Sequence, residues 1–335
     1  MFTHIRALGS ELVRAWRQSE SMAPPPLQES LNAIIVAGMG GSATAGDYFA
    51  AMCGNTSPIP VFVVRGAVLP AFVSDRTLVV VSSYSGETKE SLACYDEAGR
   101  HGSPRVVITA GGSLADRARA DGVPIVPIDY VSPPRAAVPH TIAPLLRLGA
   151  MLEVCPADDI IVEEAAAASE AFVCEQLAID VPHKHNIAKQ TAQLLWRRVP
   201  LILGGEHLAP VTVRFKNQVA ENGKMLAIAE TLPEAGHNIV VGLQTAKDDA
   251  DRLAVVLLNS PAYAPATQRV AREIGGLFEQ HGITVSAVDV PGTSTLAQML
   301  SATAFGDYVS CYLALLNEVD PTPIPEIERM RAASA

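Results

Sequence analysis

Aromatic residues are scarce in this chain of 335 residues: they make up 5% of it, whereas hydrophobic residues as a whole make up 49%. The interior must therefore be filled mainly by aliphatic side chains, and the abundance of Ala, Val and Gly favours an α/β protein. The length is sufficient for two domains, each with a core of its own.

Basic residues are also few. The 25 Lys and Arg residues are outnumbered by 35 Asp and Glu residues, which gives a formal net charge of −10. Sequence-independent binding to DNA or RNA requires a basic surface, so nucleic acid is excluded as a partner. An anionic small molecule would have to be bound by local hydrogen-bond donors.

The five cysteines are an odd number and none has CxxC spacing, so neither a disulfide framework nor a thiolate metal site is indicated. We expect a reducing, cytoplasmic compartment. Residues 1–20 carry charges every few positions, which indicates an amphipathic helix rather than a signal peptide. We expect no run long and apolar enough to span a bilayer, and therefore no membrane partner.

Short β-branched runs alternate with helix-length segments along the chain. Continuous apolar strands of this kind are typical of a parallel sheet that helices cover on both faces. We predict an α/β fold with two similar domains, 1–155 and 196–335, joined by an acidic, Ala-rich helical connector at 156–195. The predicted strands are 33–37, 60–64, 77–83, 105–109 and 124–128 in the first domain, and 200–204, 225–229, 252–258 and 283–289 in the second.

A glycine turn, GMGGSA at 38–43, follows the first predicted strand and satisfies the pattern G-x-G-x-x-A. This pattern also opens dinucleotide-binding domains, so an NADP-dependent oxidoreductase is one alternative. An NAD site needs an acidic residue at the end of the second strand, where this chain has Arg65. An arginine there could instead face the 2′-phosphate of NADP.

A second polar stretch, SSYSGET at 82–88, follows the third predicted strand and opens a predicted helix at 87–100. Hydroxyl and backbone N–H groups lie together at a helix N-terminus, whose partial positive charge favours an anion. A phosphate monoester fits such a nest without Lys or Arg in direct contact. The alternative is that Ser85 or Thr88 only caps the helix. Both polar turns follow neighbouring strands at the carboxyl edge, where open α/β sheets bind ligands.

The two halves of the chain show weak internal similarity. Residues 34–38 (IIVAG) and 201–205 (LILGG) are both apolar runs that end in glycine. Further on, VVVSSYSGETKESL in the first half corresponds to VVLLNSPAYAPATQRV in the second, in the same order of elements. Because the second copy has lost most of the hydroxyl side chains, we predict one phosphate site per chain.

These motifs together resemble a known family. GMGGS followed by SxSGxT resembles the sugar isomerase (SIS) domain. RFKNQVAEN at 214–222 and LPEAGHN at 232–238 resemble the bifunctional phosphoglucose/phosphomannose isomerases, which have two SIS domains, each a mainly parallel sheet flanked by helices. The resemblance implies interconversion of glucose 6-phosphate and fructose 6-phosphate through a cis-enediol, with mannose 6-phosphate as a candidate second substrate. It further implies a homodimer with shared active sites that uses neither a cofactor nor a metal.

The resemblance also assigns roles to individual residues. Glu221 matches the proton-transfer carboxylate, and His237 matches the ring-opening histidine, which comes from the neighbouring subunit in that family. By themselves, Glu221 would be interpreted as a solvated helix residue and His237 as a surface side chain. The positions that match phosphate-binding and substrate-binding residues are Gly40, Gly41, Ser42, Ser83, Ser85, Thr88 and Arg135.

One departure concerns the C-terminus. Members of the family carry a lysine there that reaches the active site, whereas this chain has no lysine after Lys247. Arg329 and Arg331 are the candidate replacements, but an arginine does not readily release a proton. A non-catalytic or regulatory sugar-phosphate-binding protein is the remaining alternative, although such a protein would not need Glu221 and His237.

Overall fold

The structure is a computed structural model that describes residues 1–23, 25, 30–54, 56–248 and 250–333. The chain folds into two compact units. The N-terminal unit comprises Ala7–Ala166, and the C-terminal unit comprises Met1–Arg6 together with Ala167–Ala335.

The N-terminal unit contains a sheet of parallel strands: β1 (Ala33–Ala37), β2 (Val61–Val64), β3 (Thr77–Ser83), β4 (Arg105–Thr109) and β5 (Ile125–Pro127). Their order in the sheet is β2-β1-β3-β4-β5. Every residue of β1 and β3 is buried, as expected of central strands that are covered on both faces. The direction of strand succession reverses between β1 and β3, which makes this position the topological switch point.

The C-terminal unit repeats this plan with four parallel strands: β6 (Val199–Gly205), β7 (Ile228–Leu232), β8 (Leu253–Asn259) and β9 (Thr284–Asp289). Their order is β7-β6-β8-β9, so the switch point lies between β6 and β8. The two-domain α/β architecture predicted from the sequence is confirmed.

Helices connect and cover these strands. The helices are α1 (Phe2–Arg6), α2 (Leu8–Gln18), α3 (Gly40–Cys53), α4 (Lys89–Arg100), α5 (Gly112–Asp121), α6 (Val138–Met151), α7 (Asp159–Phe172), α8 (Ile187–Leu195), α9 (Ala209–Glu221), α10 (Pro265–Gln280), α11 (Thr295–Leu316) and α12 (Pro325–Ala333).

Helix α11 contradicts one expectation. It has 22 residues and is long and apolar enough to cross a membrane by length and composition, contrary to the prediction that no run would be. However, 89% of its most apolar window is buried, and its side chains pack in the core of the C-terminal unit. A core helix of a large soluble domain has the same composition, because it contacts apolar neighbours on all sides.

Two predicted boundaries differ by more than one residue. Strand β7 lies at 228–232 rather than 225–229, and α4 begins at Lys89, two residues after the predicted start. Helix α4 begins late because the carboxylate of Glu87 accepts hydrogen bonds from Ser113 at the beginning of α5. The polar turn before α4 is therefore longer than the sequence pattern indicates.

Candidate active site

Two polar turns flank the switch point of the N-terminal sheet. The glycine turn (38–43) follows β1, and the hydroxyl turn (82–88) follows β3. The crevice outside the carboxyl ends of the strands at a switch point is where open α/β sheets bind ligands. The two turns are therefore in the position expected of a binding site.

The glycine turn presents the N-terminus of α3. Met39 is extended, with φ −123° and ψ 158°, and Gly40 opens the helix with a φ of +51°. Among the described residues, no side chain caps this helix. Its first N–H groups have no partners within the helix, so they are suited to bind an anion.

Two glycines of this turn allow neighbouring segments to approach. A Cβ atom at Gly41 would lie only 3.2 Å from the carbonyl oxygen of Pro134. A Cβ atom at Gly38 would lie 2.9 Å from the carbonyl oxygen of Ser82. The glycine turn therefore contacts both the hydroxyl turn and the segment that carries Arg135.

The hydroxyl turn is organised by its own side chains. Ser83 Oγ lies 2.9 Å from Thr88 Oγ1 and accepts a hydrogen bond from the Gly86 N–H at 3.1 Å. Ser85 is exposed, and its Oγ accepts the Glu87 N–H at 3.2 Å. Thr88 occupies the N-cap position of α4, but its side chain makes no capping hydrogen bond to the helix. The alternative that Thr88 serves only as a cap is therefore wrong.

Gly86 and Glu87 determine how this turn meets the next one. Gly86 has a φ of +71°, and a Cβ atom there would lie 1.8 Å from the carbonyl oxygen of Gly111, so only glycine fits. Hydrogen bonds from the backbone and side chain of Ser113 lower the pKa of the Glu87 carboxyl group. Donors of α5 thus stabilise the negative charge of the one acidic residue in the hydroxyl turn.

Arg135 is buried, with 4% of its surface exposed, although it follows consecutive prolines. It lies in a short 3-10 helix, Pro134–Ala136, next to Gly41. The alternative that Arg135 is a surface residue of a proline-rich loop is therefore wrong. A guanidinium group at this position retains its positive charge at any working pH and offers several donors in a fixed plane.

The Tyr84 side chain stabilises the candidate site, a role that no motif in the sequence predicts. Its hydroxyl group donates to the carbonyl oxygen of Tyr130 at 2.7 Å and accepts the Ser132 N–H at 3.2 Å. These bonds join the hydroxyl turn to the segment that leads into Arg135. The His140 ring stacks on the Tyr130 ring, with 4.6 Å between the ring centroids, and so stabilises this segment.

His140 is itself held by a carboxylate. Its Nε2 atom lies 2.8 Å from an oxygen of Glu11 in α2. Burial lowers the pKa of the imidazole, and the hydrogen bond and charge of Glu11 oppose this effect only partly. The neutral ring therefore donates its Nε2 proton to Glu11 near neutral pH.

The corresponding turns of the C-terminal unit are occupied by the protein itself. The Gly205 N–H at the end of β6 donates to the Tyr263 hydroxyl at 2.9 Å, and that hydroxyl donates to the Leu258 carbonyl at 3.0 Å. The Gln298 side-chain oxygen accepts hydrogen bonds from Ser260 and from His207. Donors that could face a phosphate in the first unit are thus used internally in the second.

Glu221 is the last residue of α9 and is partly exposed. The buried face of α9 bears other members of the RFKNQVAEN motif, and these contact α11. Arg214 forms a buried ion pair with Asp307 at 2.6 Å, and the Asn222 amide donates to Ser310 at 2.9 Å. Part of this motif therefore fixes the helix, while Glu221 at its C-terminal end remains partly exposed.

His237 is exposed and ends a 3-10 helix, Glu234–His237, that follows β7. Glu221 lies before β7 in the chain and His237 lies after it, so the structure places them on separate elements. Arg329 is an exposed residue of α12. The side chain of Arg331 lies outside the described residues.

Comparison with known proteins assigns the chain to a family. Residues 29–131 match the model of the SIS domain, and residues 184–333 match that of the bacterial phospho-glucose isomerase C-terminal SIS domain. The bifunctional phosphoglucose/phosphomannose isomerase of Caldicellulosiruptor bescii is 32% identical over 99% of this chain and 98% of its own length. That of Thermoplasma acidophilum is 30% identical over 89% of this chain and 88% of its own length.

The chain belongs to the bifunctional phosphoglucose/phosphomannose isomerase family. The resemblance inferred from the two polar turns and the two C-terminal motifs is thereby confirmed. A solved structure of a hypothetical protein from Thermus thermophilus shares the fold, with a TM-score of 0.73 and 18% identity over 98% of this chain and 88% of that chain. In this member of the family, the glycine turn lies against the hydroxyl turn and the Arg135 segment, and the roles of all the candidate site residues stay predictions.

Proposed function

We propose that this protein interconverts glucose 6-phosphate and fructose 6-phosphate, with mannose 6-phosphate as a second aldose substrate. The observation that carries the proposal is the convergence of the glycine turn, the hydroxyl turn and Arg135 at the switch point of the N-terminal sheet. Membership of the isomerase family supports the reaction type. We place the enzyme in a reducing cytoplasm.

The phosphate group is bound by the N-terminal unit. The N-termini of α3 and α4 supply backbone N–H groups and partial positive charge, and Arg135 supplies a full charge. The hydroxyl groups of Ser42, Ser83, Ser85 and Thr88 add donors to the phosphate oxygens. The internal use of the matching donors by Tyr263 and Gln298 supports a single phosphate site per chain.

Glu221 acts as the base. Starting from the open-chain aldose, its carboxylate accepts the proton from C2 while O1 gains a proton, which yields the cis-enediol. Delivery of a proton to C1 and loss of the proton on O2 then form the ketose carbonyl at C2. The substrate is oxidised at C2 and reduced at C1, so no external oxidant or reductant is needed, and His237 exchanges the proton with the ring oxygen during ring opening.

The NADP alternative is weakened by the surroundings of Arg65. Its guanidinium group is paired with Asp47 on α3, rather than presented as an open site for a 2′-phosphate. A regulatory sugar-phosphate-binding protein would keep the same turns, but it would have no use for a proton-transfer carboxylate. Both alternatives are distinguished from the isomerase by activity.

A coupled assay that starts from fructose 6-phosphate and detects glucose 6-phosphate and mannose 6-phosphate separately tests the proposal. Glu221→Gln should lower turnover by about a hundredfold or more, which is within the usual contribution of a general base. Calorimetry should show that the variant still binds substrate. Near-normal turnover would remove Glu221 from the mechanism, and substrate binding without turnover in the wild-type protein would favour the regulatory alternative. A change in NADPH fluorescence on mixing would favour the oxidoreductase.

A further inference from the structure

The last turn of α9, which carries Glu221, is held by side chains from outside the helix. The final carbonyl groups of a helix have no partners within it and must be satisfied elsewhere. The Lys224 ammonium donates to the Glu221 carbonyl oxygen at 2.5 Å. The Asn317 amide donates at 2.8 Å to the carbonyl oxygen of Gly223, which lies two residues beyond the helix. These hydrogen bonds hold the backbone that carries the Glu221 side chain.

Lys224 makes a second hydrogen bond that leads to the C-terminal segment. Its ammonium also donates to the Pro323 carbonyl oxygen at 2.6 Å. Pro323 lies directly after a turn in which the Asp320 carboxylate accepts the Thr322 N–H at 2.8 Å, and it precedes α12 by two residues. A single side chain therefore joins the Glu221 backbone to the segment that leads into α12, the helix that bears Arg329.

The backbone conformation of Lys224 indicates that its side chain has a structural role. Its φ is +55°, in the left-handed region that glycine and asparagine adopt at lower cost. A lysine at such a position costs conformational energy, and only its side chain provides the two hydrogen bonds. An ammonium group with three donors can bridge two carbonyl oxygens, which an apolar side chain cannot do.

We propose that Lys224 is a positioning residue that fixes Glu221 with respect to the C-terminal segment, and this inference rests on the role proposed for Glu221. A base that serves both C1 and C2 must lie within hydrogen-bond reach of each carbon's proton. Displacement by about 1 Å can reduce a rate about a hundredfold. Lys224 acts through Glu221, and its ammonium group bonds the carbonyl oxygens of Glu221 and Pro323.

The test compares Lys224→Met, which keeps most of the side-chain length and loses both hydrogen bonds, with Lys224→Arg, which keeps donors. Lys184→Met is the control, because Lys184 is an exposed lysine of the same unit. Lys224→Met should lower kcat by about tenfold or more through misplacement of the base, with KM for fructose 6-phosphate changed less than twofold. Lys224→Arg should recover part of kcat, and Lys184→Met should match the wild-type protein.

Repeating Lys224→Met in the Glu221→Gln background separates positioning from other roles. Because the substitution acts through the Glu221 carboxylate, it should cause no further loss once that carboxylate is absent. A wild-type kcat in Lys224→Met, or an equal further loss in the double variant, would overturn the inference. If Glu221→Gln itself were active, the proposed role of Glu221 would fail instead. If Lys224→Met does not fold, Lys224→Arg and Lys224→Gln replace it, because they differ in their ability to bridge both carbonyl groups. Equal kcat values for these two folded variants would also overturn the inference.

Discussion

Glu221 and His237 lie at opposite edges of the same sheet. Helix α9 starts after the carboxyl end of β6 and runs back to the amino edge, where it ends at Glu221. Strand β7 then returns parallel to β6, and His237 follows its carboxyl end. Since β7 has five residues that rise about 3.3 Å each, the strand spans about 16 Å between the two edges.

This separation fits the expectation, implied by the family resemblance, that His237 serves a neighbouring subunit. A proton-transfer carboxylate and a ring-opening histidine must both reach one hexose within hydrogen-bond distance. In one chain Glu221 precedes β7 and His237 follows it, whereas an exposed loop can enter the site of a partner. In a two-fold dimer, the same exchange would complete two sites at once.

Mixing two inactive variants tests the shared site. Homodimers of Glu221→Gln and of His237→Ala each lack one group at every site, but a mixed dimer has one site that is complete. With free subunit exchange at equal amounts, about half of the dimers are mixed and each has one working site of two, so activity should reach about a quarter of wild type.

The control for this experiment is each variant mixed with itself under the same exchange conditions, followed by an assay of turnover. Subunit exchange should be verified with a labelled chain. Absence of recovery after verified exchange would assign Glu221 and His237 to the site of one chain.

The two polar turns could be predicted from the sequence because each is local: a strand, a short run of glycines or hydroxyl residues, and a helix. The side chains that support them could not. Tyr84 reaches Tyr130, and Lys224 reaches Pro323, 99 residues away along the chain. Such contacts depend on how distant segments pack, and no periodicity in the sequence encodes them.

Local sequence patterns also do not show whether a polar side chain is buried by tertiary packing. The sequence around Arg135 has the prolines of a surface loop, yet this residue is 4% exposed, because the absence of a side chain at Gly41 lets its segment pack against α3. For the corresponding turn of the C-terminal unit, the sequence predicts only that hydroxyl residues are lost. It does not predict that the Tyr263 hydroxyl accepts the Gly205 N–H.

The hydroxyl turn should carry a measurable share of phosphate affinity. Removing Ser85 and Thr88 together by alanine substitution should weaken binding of fructose 6-phosphate, since each hydrogen bond to a charged oxygen contributes about 1.5–3 kcal/mol. Calorimetry with fructose 6-phosphate and with inorganic phosphate measures the loss. Ser10→Ala is the matched control, because Ser10 is an exposed hydroxyl residue that bonds only to the Ala7 carbonyl among the described contacts. Unchanged affinity for both ligands in the double variant would defeat the assignment.

Acid should destabilise the protein partly through His140. Burial holds the pKa of His140 below its ordinary value of 6.5 in the folded state. The unfolded chain therefore binds a proton that the folded chain does not, and the free energy of unfolding decreases as the pH falls below 6.5 toward the folded pKa. His140→Gln keeps a donor for Glu11 and removes the titration, so its Tm should fall less than that of the wild-type protein between about pH 7.5 and 5.5. Parallel Tm curves for the two proteins across this range would show that His140 does not contribute.

Tyr84→Phe and Tyr263→Phe form a matched pair, because each removes one hydroxyl group that bridges an N–H donor and a carbonyl oxygen. Loss of such a bridge costs about 0.5–1.5 kcal/mol per hydrogen bond, so both variants should show a lower Tm. Of the two tyrosines, Tyr84 is the one that joins the hydroxyl turn to the segment that carries Arg135. Tyr84→Phe should therefore raise KM for fructose 6-phosphate severalfold, with a smaller effect on kcat. Tyr263→Phe should keep the wild-type KM, because its bridge lies in the turn that we expect to bind no phosphate. Steady-state kinetics and thermal unfolding of the two variants test this prediction. An equal rise in KM for both variants would mean that the effect arises from general destabilisation and not from the placement of Arg135.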